Sequence, residues 1–87
     1  MARRSKEKTH RLIKAIAVLL RNSTWKCGRI ERLVVHYLGK QFRTAGRAGV
    51  PVREMLQYFS LTGKRKSEFL DAIKRLEKRH IIKVEGL

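Results

Sequence analysis

Apolar residues recur along the chain in three runs of helical spacing. Ile30, Leu33, Val34, Tyr37 and Leu38 step by three and four, which predicts a helix over residues 26–41 with one core face. Val52, Met55, Leu56 and Phe59 sit at i, i+3, i+4 and i+7, a short amphipathic helix over 51–59 whose first turn accommodates Pro51. Phe69, Leu70, Ile73 and Leu76 give the third, over 64–79. "SLTGK" is the turn between the last two, and Ile81 to Val84 follows as a strand with Ile82 and Val84 on one side. Nearer the N-terminus, Leu12, Ile13, Ile16, Ala17, Leu19 and Leu20 cover more than one narrow stripe. With Ser5 as cap and Glu7 in the first turn, they predict a helix over 5–21. A helix this apolar is either well buried or shared with a partner. Asn22-Ser23-Thr24 breaks the pattern, and Trp25 and Cys27 are expected to pack at the start of the next helix. "FRTAGRAGVP", residues 42–51, reads as a glycine-containing loop that Pro51 forces into an extended exit.

Eighty-seven residues make one domain. It divides into a basic tail (1–4), the N-terminal helix (5–21) and a helical core (26–87). A chain this short buries about 60–65% of its unfolded surface, so its core is thin. Charge then changes the picture. Twenty-two Lys and Arg stand against seven Asp and Glu, a net charge of +15. That is far beyond what solubility needs, and it attracts polyanions. The excess is spread over the whole chain rather than held in one segment. Nucleic acid is the partner this implies first, an anionic membrane surface a distant second. No stretch approaches the roughly 20 apolar residues of a membrane span, and the apolar run Ala15–Leu20 is too short for a secretory signal core.

Chemistry-bearing clusters are scarce. Cys27 is the one cysteine, so no intrachain disulfide forms, and with His10, His36 and His80 it has no zinc-ligand spacing. "TGKRKS" resembles the end of a phosphate-binding loop, but Arg65 stands where Ser or Thr belongs and Tyr58 where the first glycine belongs. No paired carboxylates and no Ser/His/Asp order stand out. The expectation is a non-enzymatic protein with no cofactor, no metal and no small-molecule substrate.

A short helix, a tight turn, a longer basic helix and an immediate strand occur together in "VPVREMLQYFSLTGKRKSEFLDAIKRLEKRHIIKVEGL". This stretch resembles the winged helix-turn-helix family over residues 50–85, and over about two thirds of the chain once Arg29–Phe42 is taken as the preceding helix. The run "AIKRLEKRHIIKV" is similar to the family's usual end of the recognition helix. The resemblance implies a mostly α, winged-helix-like helix-turn-helix domain, here with an extra N-terminal helix and a short or incomplete β wing. It implies that the 64–79 helix enters the DNA major groove, which is wide enough to admit one. Lys64, Arg65, Ser67, Asp71, Lys74, Arg75 and Lys78 are its expected exposed positions. Arg65 and Ser67 are the candidates for base contact; Lys64, Lys66, Lys74 and Lys78 are candidates for phosphate. Asp71 either accepts from a cytosine amine or pairs with Arg75 four residues on, the pairing being the stronger reading. "GKRK" sets cations against the positive end of a helix dipole, a cost that an external polyanion offsets.

The family's wing is a two-strand hairpin after the last helix. Six residues follow Ile81, so the remaining strand is expected to pair with Gly49–Val50 or with a partner chain. Arg3 and Arg4 are expected to serve as a minor-groove arm, and Arg43 and Arg47 to hold phosphate. Leu12, Ile13, Ile16, Leu19 and Leu20 are the expected homodimer face.

Three functions follow from these readings. The first is a cytoplasmic, nucleoid-associated DNA-binding protein, sequence-specific or general, regulating transcription as a dimer. The second is a ribosomal or other RNA-binding winged-helix protein; residues 50–84 are similar to the core of one small-subunit ribosomal protein with that fold. The third is a protein-interaction module working through the apolar first helix.

Overall fold

The computed structural model describes residues 12–86. Residues 12–14 are helical and lead directly into β1 (Ile16–Leu19). Then come α1 (Arg29–Ala45), β2 (Gly49–Pro51), α2 (Val52–Tyr58), α3 (Gly63–Lys78) and β3 (Ile82–Glu85). The three strands form one antiparallel sheet in the order β2-β1-β3, and the helices pack over it.

The expected helix over 5–21 is corrected at its C-terminal half. Residues 16–19 are the central strand of the sheet, with Ala17 opposite Val50 on one side and Val84 on the other. The physical reason lies in the run itself. A short, unbroken apolar stretch satisfies a period of two as well as a period of 3.6, so pattern alone does not separate a buried strand from a buried helix. β-Branched Ile16 and Val18 favour the strand. Ala15 and Ala17, both fully buried, put small side chains under the helices. The part of the expected helix at residues 5–11, like the basic tail with Arg3 and Arg4, lies outside the described residues.

The expected dimer face is corrected with it. Leu12 belongs to the hydrophobic core, and Ile13 and Leu19 pack against that core, while Ile16 and Leu20 are exposed. The five residues therefore do not share one outward face. The pairing of the last strand is corrected as well. β3 does not meet Gly49–Val50, because β1 lies between them and pairs with both.

The core forms where α1, α2 and α3 turn their apolar faces onto the sheet. Val34, Val35, Met55, Phe69, Ile73 and Leu76 are among its fully buried side chains. Leu33, expected on the core face of α1, is exposed, and Val35 is buried in its place. An aromatic cluster joins the three helices. Tyr37 lies 4.6 Å from Tyr58 and 5.6 Å from Phe59, ring centre to ring centre, and Phe59 lies 6.3 Å from Phe69. α1 runs past its expected end to Ala45 and is closed by Gly46, whose φ of 66° permits a left-handed turn. There the Gly46 and Arg47 amides return to the carbonyls of Phe42 and Gln41, satisfying the helix's last acceptors. The loop expected over 42–51 thus shrinks to three residues, 46–48.

α2 and α3 are joined by residues 59–62. The amides of Phe59, Ser60 and Leu61 bond back to Met55, Gln57 and Leu56, which makes the turn tight and fixes α3 against α2. At the far end, the Ile81 amide bonds to the Leu76 carbonyl, and the Leu20 and Arg21 amides bond to the Ile81 carbonyl. α3 is therefore tied at both ends to the rest of the fold.

Candidate nucleic-acid interface

α3 buries Phe69, Leu70, Ala72, Ile73 and Leu76. With about 3.6 residues per turn, that fixes what the opposite side carries. Lys64, Ser67, Asp71, Lys74, Arg75 and Lys78 are all exposed and fall within an arc of about 100°. This is the stripe expected from the sequence, with one exception. Arg65 is exposed but lies off the arc, at the N-terminal end of α3. Lys66 lies off the other side, half-buried, on the rim of a recess of about 580 Å³ between α3, Leu61 and Ile13. Asp71 and Lys78, with Ser67 beside them, therefore hold the middle of the outward face, and Lys74 and Arg75 its two edges.

Arg75 is not the open cation that its position suggests. Its Nε donates to Glu31 Oε1 at 3.0 Å. Glu31, in the first turn of α1, is 7% exposed and is the buried charge at the contact between α1 and α3. The expected Asp71–Arg75 pair is thereby corrected. A carboxylate from another helix outcompetes the i+4 neighbour because it sits in a drier setting, where charge-assisted hydrogen bonds are stronger. Among the described residues Asp71 makes no ion pair, and neither do Lys64, Lys74 and Lys78.

Arg47 is corrected in the same way. Its two terminal nitrogens grip Glu54 at 2.7 and 2.9 Å, and Nη1 also reaches Gln41 Oε1 at 3.3 Å. The Tyr37 hydroxyl donates to the same Glu54 carboxylate at 3.1 Å. The Arg47 guanidinium holds the Glu54 carboxyl below the usual glutamate range, and Glu54 in turn raises Arg47. Burial, then the hydrogen bond to Glu54, raises the Tyr37 phenol. Arg47 is thus a bracket between α1 and α2. Arg43, by contrast, is exposed on the last turn of α1.

Two residues were not among the site candidates read from the sequence. Arg79, just past α3, donates to the Trp25 carbonyl at 2.8 Å and to the Lys26 carbonyl at 3.2 Å, and its Nη1 lies 3.9 Å from Glu31. Its own carbonyl accepts from Arg21 at 3.0 Å. Trp25, expected to pack at the start of α1, is instead 71% exposed. Cys27 is buried as expected. Nothing in the spacing marks Arg79, since the backbone carbonyls it grips lie more than 50 positions away in sequence.

Among the described residues no helix is long and apolar enough to cross a membrane, and no three His, Cys, Asp or Glu side chains gather to hold a metal ion. Comparison of the chain with protein-family models, with curated proteins and with solved structures finds no match.

Proposed function

We propose that this chain is a non-enzymatic DNA-binding protein that lays the outward face of α3 along a duplex groove and regulates transcription. The observation that carries the reading is the composition of that face. Lys64, Lys74 and Lys78 stand exposed, with no carboxylate at ion-pair distance among the described residues. Lysines left without counter-charge on a helix whose other face is locked into the core are poised for phosphate. Ser67 and Asp71, between them, offer short polar side chains to base edges. The net charge of +15 supplies the long-range attraction.

The order of elements departs from the winged-helix pattern at the wing. In that family the hairpin partner of the strand after the recognition helix follows it in the chain. Here β3 has its antiparallel partner in β1, which precedes all three helices. The hairpin's place is filled from the other side of the sequence.

One observation favours a second reading, a structured RNA. Arg29, Arg32, Lys40 and Arg43 are exposed along α1, so cations cover more than the α3 face. Titration against duplex DNA and against a folded RNA of similar length, between about 50 and 200 mM salt, separates the two. The DNA reading expects tighter duplex binding, with log K falling by about 0.9 per neutralised phosphate. Tighter RNA binding together with co-sedimentation with ribosomes establishes the second reading instead.

A further inference from the structure

Trp25 is the chain's one tryptophan, and it stands 71% exposed at the C-terminal end of α3. A single exposed apolar side chain needs no explanation. This one is held in place. Arg79 clamps the carbonyls of Trp25 and Lys26 at 2.8 and 3.2 Å. Lys26 is in the left-handed region at φ 56°, a conformation that side-chain-bearing residues adopt at a cost. Such strain persists where the surroundings enforce it, and it clusters at functional positions. The enforced turn does two things. It presents the indole to solvent, and it sets the Lys26 ammonium 4.6 Å from the ring centre.

The turn also continues the proposed interface. Lys26, Arg75, Lys78 and Arg79 surround Glu31 in one open recess of about 360 Å³. Four cations around a single carboxylate leave a net positive recess beside a flat aromatic surface. An aromatic plane for a base next to cations for its phosphates is the combination that holds unpaired nucleotides. We infer that Trp25 and the Lys26–Lys78 recess bind an unpaired nucleotide flanking the duplex on α3. Its base stacks on the indole and its phosphate meets Lys26 and Lys78. This rests on the reading of α3 as the duplex contact and adds to it a preference for duplexes that end in, or open into, a single strand.

The test uses the fluorescence of Trp25, which reports on this position alone. The full chain is titrated with a blunt DNA duplex, with the same duplex carrying a short single-stranded overhang, and with the single strand. The overhang is expected to tighten binding by about five- to a hundredfold and to quench Trp25 more than the blunt duplex does. Trp25→Ala, followed by fluorescence anisotropy of labelled DNA, is expected to abolish the overhang advantage and to leave blunt-duplex affinity unchanged. Lys26→Gly relieves the backbone strain, so it is expected to keep or raise the melting temperature while weakening the overhang complex. An overhang that adds no affinity, or an advantage that survives Trp25→Ala, overturns the inference even where the blunt duplex binds well. If the blunt duplex does not bind but the single strand still quenches Trp25, the reading of α3 fails and the stacking site stands.

Discussion

The Nε of Arg75 lies 3.0 Å from Oε1 of Glu31, so a helix side chain on the outward face of α3 is turned back toward the first turn of α1. The contact separates the cations of α3 into two kinds. Arg75 is spent inside the protein, while Lys74 and Lys78 beside it have no such partner among the described residues.

Alanine substitution should distinguish these two kinds. Lys74→Ala and Lys78→Ala are expected to leave the melting temperature nearly unchanged and to flatten the plot of log K against log salt by about 0.9 each. Arg75→Ala is expected to do the reverse, lowering the melting temperature with little effect on the slope. Calorimetry and a salt titration on the same three variants measure both.

Glu31→Gln reverses the sense of the experiment. Without the buried carboxylate, Arg75 and Arg79 lose their anionic partner, which should destabilise the fold by about 1–3 kcal/mol. The released Arg75 then becomes available to phosphate, and the salt slope steepens by about 0.9. A variant that is less stable yet binds DNA with a steeper salt dependence is the expected combination. Denaturant unfolding and binding isotherms check it.

Gly49 is dictated by its neighbour across the sheet. A Cβ there would lie 2.7 Å from Ile16 Cγ2 and 3.3 Å from Val18 Cγ2. Ile16 Cγ2 branches directly from Cβ, so it moves aside only by a change of χ1, which β-branching restricts. Gly49→Ala is expected to cost about 1–3 kcal/mol. Ile16→Ala in the same chain should recover much of it, since it removes the nearer clash. A double-mutant cycle by urea unfolding reads the coupling, which additive behaviour would contradict.

The Arg47–Glu54–Tyr37 bracket carries a pH signature. Glu54 is held below the ordinary glutamate range. Its stabilisation is therefore fully present above about pH 4.3, where the unfolded chain's glutamate titrates, and is lost as pH falls through the lower folded value. Tyr37 is shifted up, so its contribution is complete below about pH 10 and is lost as pH rises through the higher folded value. The gap in melting temperature between the natural chain and Glu54→Gln should be constant near neutrality and close toward pH 3. A gap that persists in acid would contradict the bracket.

The helices were legible in the sequence because each buries one stripe and exposes the rest. Val52, Met55 and Leu56 settle α2, and Phe69, Leu70, Ile73 and Leu76 settle α3, from spacing alone. β1 was not legible, because its strand is only four residues long and follows helical Leu12, Ile13 and Lys14 with no turn signal between them. The outward arc of α3 followed from periodicity, but which of its cations are already partnered did not. Glu31 is 44 positions from Arg75, and Trp25 is 54 from Arg79. Pairings that depend on how α1 meets α3 leave no trace in local spacing.

The central claim is that the exposed side of α3 is the surface that meets nucleic acid. Backbone amide chemical shifts of the isotope-labelled chain, recorded while duplex DNA is added, test it most directly. The largest shifts are predicted at Lys64, Ser67, Asp71, Lys74 and Lys78, with smaller ones at Arg29, Arg32 and Lys40 on α1. Shifts concentrated on α1 while the α3 amides stay in place would contradict the account.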